Sequence, residues 1–405
     1  SSSAASDVYK RQFSYYANGK VKDIWNSLYE YYGKSYLNPF KACQMEYDQN
    51  IAYATNARGY TTTIQMNRFG NPIRITDPTG NFTLMNWDSD MNMLEYTDAN
   101  GHTYSYEYDA YGNLKRLTDP AGNFSLFRWE NIDDGTRYIS LLKNTTNELG
   151  YTTFYEYDSF GNLYRTIDAT GNITSYLYDT HGYIKESKNP RGYSTYYAYN
   201  THGFLTNQTD ATGNLTRYDY DIVGRLTSII DANGHTTTYQ YDNNDRRIIE
   251  IDATGNETTY NYNAENDLLS IVDARGQQTN YHKNILGETD TTTDASGNAT
   301  FCRYDREGNL IKETDARGHA TTYAYDSLSR LTSTTDALGN TESCTYDAVG
   351  NILTFTDKNG HTTTYKYDAL DRLETAIDPT ENVTSYTYDA VGNLLTVTDA
   401  NGNPT

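Results

Sequence analysis

Short runs of alternating apolar and polar residues recur along this chain, each bounded by turn-forming residues. Around Tyr367, Thr363 and Tyr365 share one parity with it, while Thr362, Thr364 and Lys366 occupy the other. The next run sets Leu373, Thr375 and Ile377 against Glu374 and Ala376. Period-two alternation in Thr, Tyr and Ile is a strand pattern, and runs of about six residues suit strands better than helices. The layout repeats every 21 residues. With the Tyr of a recurrent Tyr-Asp pair as position zero, it falls at Tyr157, Tyr178, Tyr199, Tyr220, Tyr241 and Tyr262. After Lys283 it resumes at Tyr304, Tyr325, Tyr346, Tyr367 and Tyr388. Trp129, Tyr108, Trp87 and Met66 keep the step backwards, with one seven-residue insertion between 129 and 157. Sixteen registered units result, preceded by an irregular one at Tyr47.

Two turn columns punctuate each unit. Eleven residues after position zero stands Asp or Asn, as at Asp77, Asp119, Asn189, Asp315 and Asp399, and three residues later Gly, with Glu381 the exception. A second Gly column follows the Tyr by four residues, at Gly112, Gly161, Gly224, Gly308, Gly350 and Gly392 among others. Where that Gly is absent, Asp245, Asn266 or Asp371 replaces it, side chains that tolerate positive φ. Asp-x-x-Gly predicts a type I turn with a left-handed bulge residue closing a hairpin. Pro78, Pro120, Pro190 and Pro379 stand directly after the Asp/Asn column, where a type I turn favours proline. Each unit is therefore a β-hairpin, and consecutive hairpins pair into one long antiparallel ribbon, an all-β repeat whose stability is a sum of nearest-neighbour terms.

Composition narrows the class. Only 37% of residues are hydrophobic, yet there are 42 Tyr, so apolar surface arrives mainly on rings carrying a hydroxyl. That excludes a thick aliphatic core, and no run approaches the ~20 apolar residues of a membrane-spanning helix. A net charge of −21 opposes nucleic acid as a partner, because phosphate binding is driven by Lys and Arg. Three cysteines cannot make a disulfide scaffold.

The segment before the repeats reads differently. Asp7-Val8-Tyr9-Lys10-Arg11-Gln12 matches the translation of a transposase adapter end, so residues 1–12 are taken as a sequencing-adapter scar and set aside. The natural N-terminus is then missing, and an export signal is not observable. Residues 13–46 form an irregular segment in which Val21, Ile24, Trp25, Leu28 and Tyr32 fall near helical spacing, compatible with a short amphipathic helix. The insertion near 131–147 is either a surface loop or a longer hairpin.

The unit Tyr388-Asp389-Ala390-Val391-Gly392-Asn393-Leu394, continued by Thr398-Asp399-Ala400-Asn401-Gly402-Asn403, resembles the YD repeat of Rhs proteins, wall-associated polymorphic toxins, teneurins and Tc toxin cocoons. The resemblance covers residues 47–405. It implies a ribbon that spirals into a hollow β-shell, and in bacterial members a shell that encloses a C-terminal toxin or effector. At ~4.8 Å per strand, sixteen two-stranded units span on the order of 150 Å, about one turn of such a shell. The expected function is a non-catalytic scaffold segment of a large secreted or cell-surface protein, its cargo domain absent from this fragment. The alternative is a surface adhesin, with exposed Tyr and Asn/Asp stacking on and hydrogen-bonding to glycans.

Catalytic, cofactor and metal residues are each expected to be none. One Asp per turn, spaced ~10 Å from the next copy, does not make a calcium loop, and the two Asp columns account for 25 of the 53 acidic residues as turn formers. Asp77-Pro78-Thr79-Gly80 and Asp119-Pro120-Ala121-Gly122 resemble the D-P-x-G of autoproteolytic family members but occupy the ordinary turn column, so protease activity is not carried over. His102, His235, His319 and His361 share one column; His319 and His361, two units apart, lie ~20 Å from each other along the ribbon, too far to share an ion. Cys302 and Cys344, also two units apart, read as small buried substitutes for Tyr, and Cys43 is unassigned. The Asn-x-Thr triplets at Asn81, Asn172, Asn214, Asn256, Asn298 and Asn382 arise from one repeat column and carry no specific glycosylation signal.

Overall fold

Tight hairpin turns form wherever Asp-x-x-Gly stands. In the turn from Asp158, the N–H of Gly161 donates to the Asp158 carbonyl at 3.0 Å and the N–H of Asp158 to the Asn162 carbonyl at 2.9 Å. Gly161 has φ of 88°, a conformation that costs a side chain with Cβ about 1 kcal/mol and costs glycine little. The turn opening at Asp168 repeats the pattern, with Gly171 to Asp168 at 2.9 Å. The structure is a computed structural model and describes residues 9–15, 21–28, 40–48, 50–133 and 138–404.

Among these residues the chain forms thirty-six strands and no helix. They join one antiparallel sheet in which strands adjacent in sequence pair. The strand Thr152–Tyr157 pairs with Leu163–Ile167, bringing Glu156 opposite Arg165 and Tyr157 opposite Leu163, with a bulge between Glu156 and Tyr157. Leu163–Ile167 then pairs with Ile173–Tyr178 through the second turn. The bulge at position zero returns in unit after unit, between Leu177 and Tyr178 and between Ala198 and Tyr199. It gives the strand an extra residue and local twist just before each Tyr-Asp turn.

Two segments depart from the regular ribbon. Among the described residues of 13–46 there is no helix: Val21–Leu28 is a strand, paired with Tyr9–Tyr15 on one side and Phe40–Asp48 on the other. The helical spacing read there is incidental. Val21, Ile24 and Trp25 are equally good strand formers, and a neighbour on each side decides the outcome through pairing rather than propensity. Tyr32 lies outside the described residues. The strand Tyr9–Tyr15 begins inside residues 1–12. Of the two alternatives at the insertion, the structure has the longer hairpin, Phe124–Asp133 against Tyr138–Thr146, with Trp129 opposite Leu142.

The chain divides into two compact units. One comprises Ser1–Tyr108, Leu117–Phe124 and Tyr281–Thr405; the other comprises Asp109–Arg116 and Ser125–Asn280. Most of the second, Ser125–Asn280, is a continuous run of hairpins. In the first, turns from distant parts of the chain touch. Among the described residues Ala52, Asp98 and Ser270 are buried, and every other side chain keeps some exposure. With no thick core, cohesion must come from hydrogen bonds and ring contacts between neighbouring hairpins.

Candidate functional site

The repeat columns define two kinds of turn, one following the Tyr of position zero and one following the strand after it. In both, one carboxylate organises the loop. Asp109 Oδ1 accepts from the N–H of Tyr111 and of Asn113, each at 2.9 Å, while its Oδ2 accepts from Asn113 Nδ2 at 3.0 Å. Asp168 accepts in addition from the Thr170 hydroxyl at 2.7 Å. That hydroxyl and the Asn172 amide, then the Asn172 backbone, lower its carboxyl to about 2. The Asn214 amide and Thr212 hydroxyl bring Asp210 to about 2, and the Asn382 amide and Thr380 hydroxyl do the same for Asp378.

The residues weighed as chemistry are taken up by these turns. Asp77 Oδ1 accepts from Thr79 N at 2.8 Å and Asn81 N at 3.0 Å, and Asp119 Oδ1 from Asn123 N at 2.8 Å. The sequon amides of Asn172, Asn214, Asn256, Asn298 and Asn382 each bind the carboxylate four residues earlier, and that of Asn81 binds Thr79 Oγ1. His235 and His319 place Nδ1 at 2.9 and 3.0 Å from Asp231 and Asp315, and His361 lies 3.3 Å from Asp357. Cys302 and Cys344 are free and half-buried rather than buried, and burial pushes both thiols up. The side chain of Cys43 is outside the described residues.

Between units, position zero supplies the main tie. In eleven units the Tyr hydroxyl donates to the backbone carbonyl fifteen residues earlier, at 2.6–3.0 Å, from Tyr157 to Leu142 through Tyr388 to Leu373. Trp87 and Trp129 occupy the same slot and use the indole N–H for the same bond, to Pro72 and Leu114, both at 2.7 Å. Lys283 sends Nζ to Thr289 Oγ1 instead, at 2.7 Å.

A second tie comes from the residue five after position zero. Arg330 binds Asp326 Oδ2 through Nε at 2.7 Å and the Asp347 carbonyl of the next unit through Nη1 at 2.7 Å, with its guanidinium 4.8 Å from the Tyr346 ring centroid. Arg225, Arg246 and Arg372 repeat the arrangement over Tyr241, Tyr262 and Tyr388. The Arg246 guanidinium holds Asp242 below the usual carboxylate range. The same column reaches the non-glycine residues of positive φ in the following unit: Arg225 to Asp245, Arg246 to Asn266, Asn309 to Ser329 and Asn351 to Asp371. These four positions exchange the ease of glycine for a hydrogen bond between units. Sequence reasoning missed both ties; the invariant offset of fifteen residues was there, but carbonyls are invisible in a side-chain pattern.

Within the first unit, turns of the early hairpins meet the Tyr-Asp turns of late ones. Arg58 Nη1 lies 3.3 Å from Asp305 Oδ2 and its Nη2 donates to the Asp326 carbonyl. Ala57 N–H donates to Glu307 Oε1 at 2.6 Å, and Asn100 Nδ2 to Asp347 Oδ2 at 3.0 Å across 247 residues of sequence. Ala99 shares a small cleft with Ala348 and Val349. The two kinds of turn are thus complementary surfaces, brought edge to edge.

A ribbon of repeated hairpins, tied unit to unit, is a tandem β-hairpin repeat scaffold. The RHS Repeat family model matches residues 87–123, 199–234, 223–257, 304–341, 346–382 and 374–404. The chain is an Rhs/YD-repeat protein. No curated protein matches it in sequence. Among solved structures it is similar to the Tc holotoxin pore of Photorhabdus luminescens, at 13% identity and a TM-score of 0.55 over 96% of this chain. A TcdB2-TccC3-Cdc42 crystal structure aligns at 12% identity and a TM-score of 0.42, over 97% of this chain and 33% of that one. The chain spans about a quarter of the Tc chain it matches, 26%. The likeness is one of fold.

Proposed function

We propose that this chain is part of a wall that encloses or presents a C-terminal toxin or effector domain within a larger secreted or surface-delivered protein. Its role is steric and non-catalytic: cargo harmful to the producing cell is kept from its targets until delivery. The observation that carries the reading is the seating of one turn edge on the other, by Arg58 on Asp305 and Asn100 on Asp347. A ribbon that lies edge to edge on itself closes the gap through which macromolecules would pass. The fold shared with a Tc holotoxin supports a toxin setting. The test is a long sequence read of the source locus beyond Thr405. A frame running on into more repeats, a D-P-x-G segment and a small unrelated domain is the expected result. A frame ending in a wall anchor without any effector would overturn encapsulation.

A second reading, adhesion to glycans, is favoured by one feature of the second unit. Phe160, Tyr164, Tyr176, His181 and Lys185 line an open cleft of about 1060 Å³, and Phe160 is 80% exposed. Rings with adjacent hydrogen-bonding groups suit sugar faces and hydroxyls. Saturable binding on a glycan array, lost in Phe160→Ala, is the result this reading requires.

A further inference from the structure

One histidine of the turn column differs from its siblings. His235 and His319 hydrogen-bond the carboxylate of their own turn, whereas His102 Nδ1 is buried and makes no hydrogen bond among the described residues. It lies 3.3 Å from Asp98 Oδ2, and Asp98 is itself 7% exposed, the one buried carboxylate described. The other oxygen of Asp98 is held by the N–H groups of Asn100 and His102, at 2.9 and 2.8 Å, so the carboxylate is fixed in place. The third member, Asp371, comes from a late Tyr-Asp turn of the same compact unit, and one ligand atom from each of the three lies within 4.8 Å of the others.

We infer that Asp98, His102 and Asp371 form a site for a divalent transition-metal ion, Zn²⁺ by preference, that staples an early turn to a late one. One imidazole and two carboxylates are a donor set that zinc accepts, with a water completing four-coordination. Ligands ~2.0–2.1 Å from a tetrahedral centre stand about 3.3 Å from one another, which is the separation of His102 Nδ1 from Asp98 Oδ2. Rotation of the half-buried Asp371 carboxylate, now steadied by Asn351 Nδ2 at 2.9 Å, brings in the third ligand. Two carboxylates from different turns converge here, and a cation relieves their like charge. Distances measured along the ribbon exclude such a site, because they count only neighbours in sequence; seating one turn edge on the other supplies the missing ligand.

The repeat itself offers conservative tests. His102→Asn and Asp371→Gly each restore the commonest residue of their column, so each keeps its turn while removing a ligand. His361→Asn is the control, since its turn belongs to no such cluster. Untagged full-length chain is titrated with ZnCl₂ by calorimetry, and with CoCl₂ while the visible absorption of bound cobalt is followed. The expected result is one equivalent bound per chain, with affinity reduced at least about tenfold by either ligand substitution and unchanged by the control. Zinc should also raise the melting temperature of the parent and of the control, but of neither ligand variant. Binding weaker than about 1 mM in the parent, or binding that survives both ligand substitutions in chains whose circular dichroism is unaltered, would overturn the site. Neither result bears on what the scaffold carries.

Discussion

The hydroxyl of Tyr178 donates to the backbone carbonyl of Leu163 at 2.6 Å, and this bond links one hairpin to the one before it. Leu163 follows the preceding Tyr by six residues, so the tie spans the strand Leu163–Ile167, the turn from Asp168 and the strand Ile173–Tyr178. Burial raises the phenol of Tyr178, keeping it protonated and therefore a donor. The rule that emerges is not aromaticity at position zero but an aromatic ring with a donor at its far end. Trp87 and Trp129 satisfy it, reaching Pro72 and Leu114.

Tyr178→Phe keeps the ring and deletes the donor, leaving a half-buried carbonyl short of one partner. The expected loss is about 1 kcal/mol of unfolding free energy, read from urea denaturation. Tyr178→Trp should cost less than the Phe variant although it changes more volume. If Phe is the better tolerated of the two, the bond is not what holds the column.

The turns, the strands and the 21-residue register were legible because each rests on local chemistry: Asp that bonds the next backbone amides, Gly that accepts positive φ, Thr and Tyr that alternate. The tie from Tyr178 to Leu163 was not, since a carbonyl leaves no mark in the sequence. Nor was the strand Val21–Leu28, where Val21, Ile24 and Trp25 fit either period and pairing with flanking strands decides. The approach of Asp371 to Asp98 depends on where the ribbon returns, a property of accumulated twist over many hairpins that no single unit encodes.

Met91 is the exception among the non-glycine residues that follow a Tyr-Asp turn at positive φ, having φ of 69° and no acceptor to offer. Its counterpart one unit earlier, Asn71, has its Nδ2 buried without a hydrogen bond among the described residues. Asn351 in the equivalent place binds Asp371. Met91→Asp should therefore stabilise the chain, by about 1 kcal/mol, since Asp tolerates the backbone better and gives Asn71 an acceptor. Met91→Gly relieves the backbone alone and should gain less. Melting temperatures of the three proteins decide it: equal gains would show that Asn71 is indifferent to its neighbour.

The arginine clamps predict a side chain that lysine cannot replace. Arg330 uses Nε on Asp326, Nη1 on the Asp347 carbonyl and its flat face on Tyr346. A lysine ammonium is a single point and cannot hold both oxygens and cover the ring at once. Arg330→Lys and Arg330→Asn should both loosen the joint between the two hairpins, Lys by nearly as much as the larger truncation. Because repeat stability is a nearest-neighbour sum, the loss should appear as faster amide exchange in residues flanking 326–351, with distant hairpins unchanged. Uniformly faster exchange along the chain would contradict a local clamp.

Acid should unfold this protein late. The carboxylates of Asp168, Asp210 and Asp378 are held at about 2 in the folded chain by threonine hydroxyls, asparagine amides and backbone N–H groups. An unfolded Asp titrates near ~3.9. A carboxyl with a depressed folded value contributes stability that is fully present above the unfolded value and lost as pH falls through the folded one. These turns therefore lose their contribution between about pH 4 and pH 2, and the β-sheet circular dichroism should persist at pH 4 and fall below about pH 3. Asp168→Asn keeps the turn geometry, as Asn147 and Asn189 do in the same column, with N–H groups donating to Asn147 Oδ1 and Asn189 Oδ1. It removes the titration, so its stability should vary less with pH across that window than the parent's. A parent that unfolds already at pH 5, or an Asn variant with the same acid dependence, would mean that groups other than the turn aspartates govern acid stability.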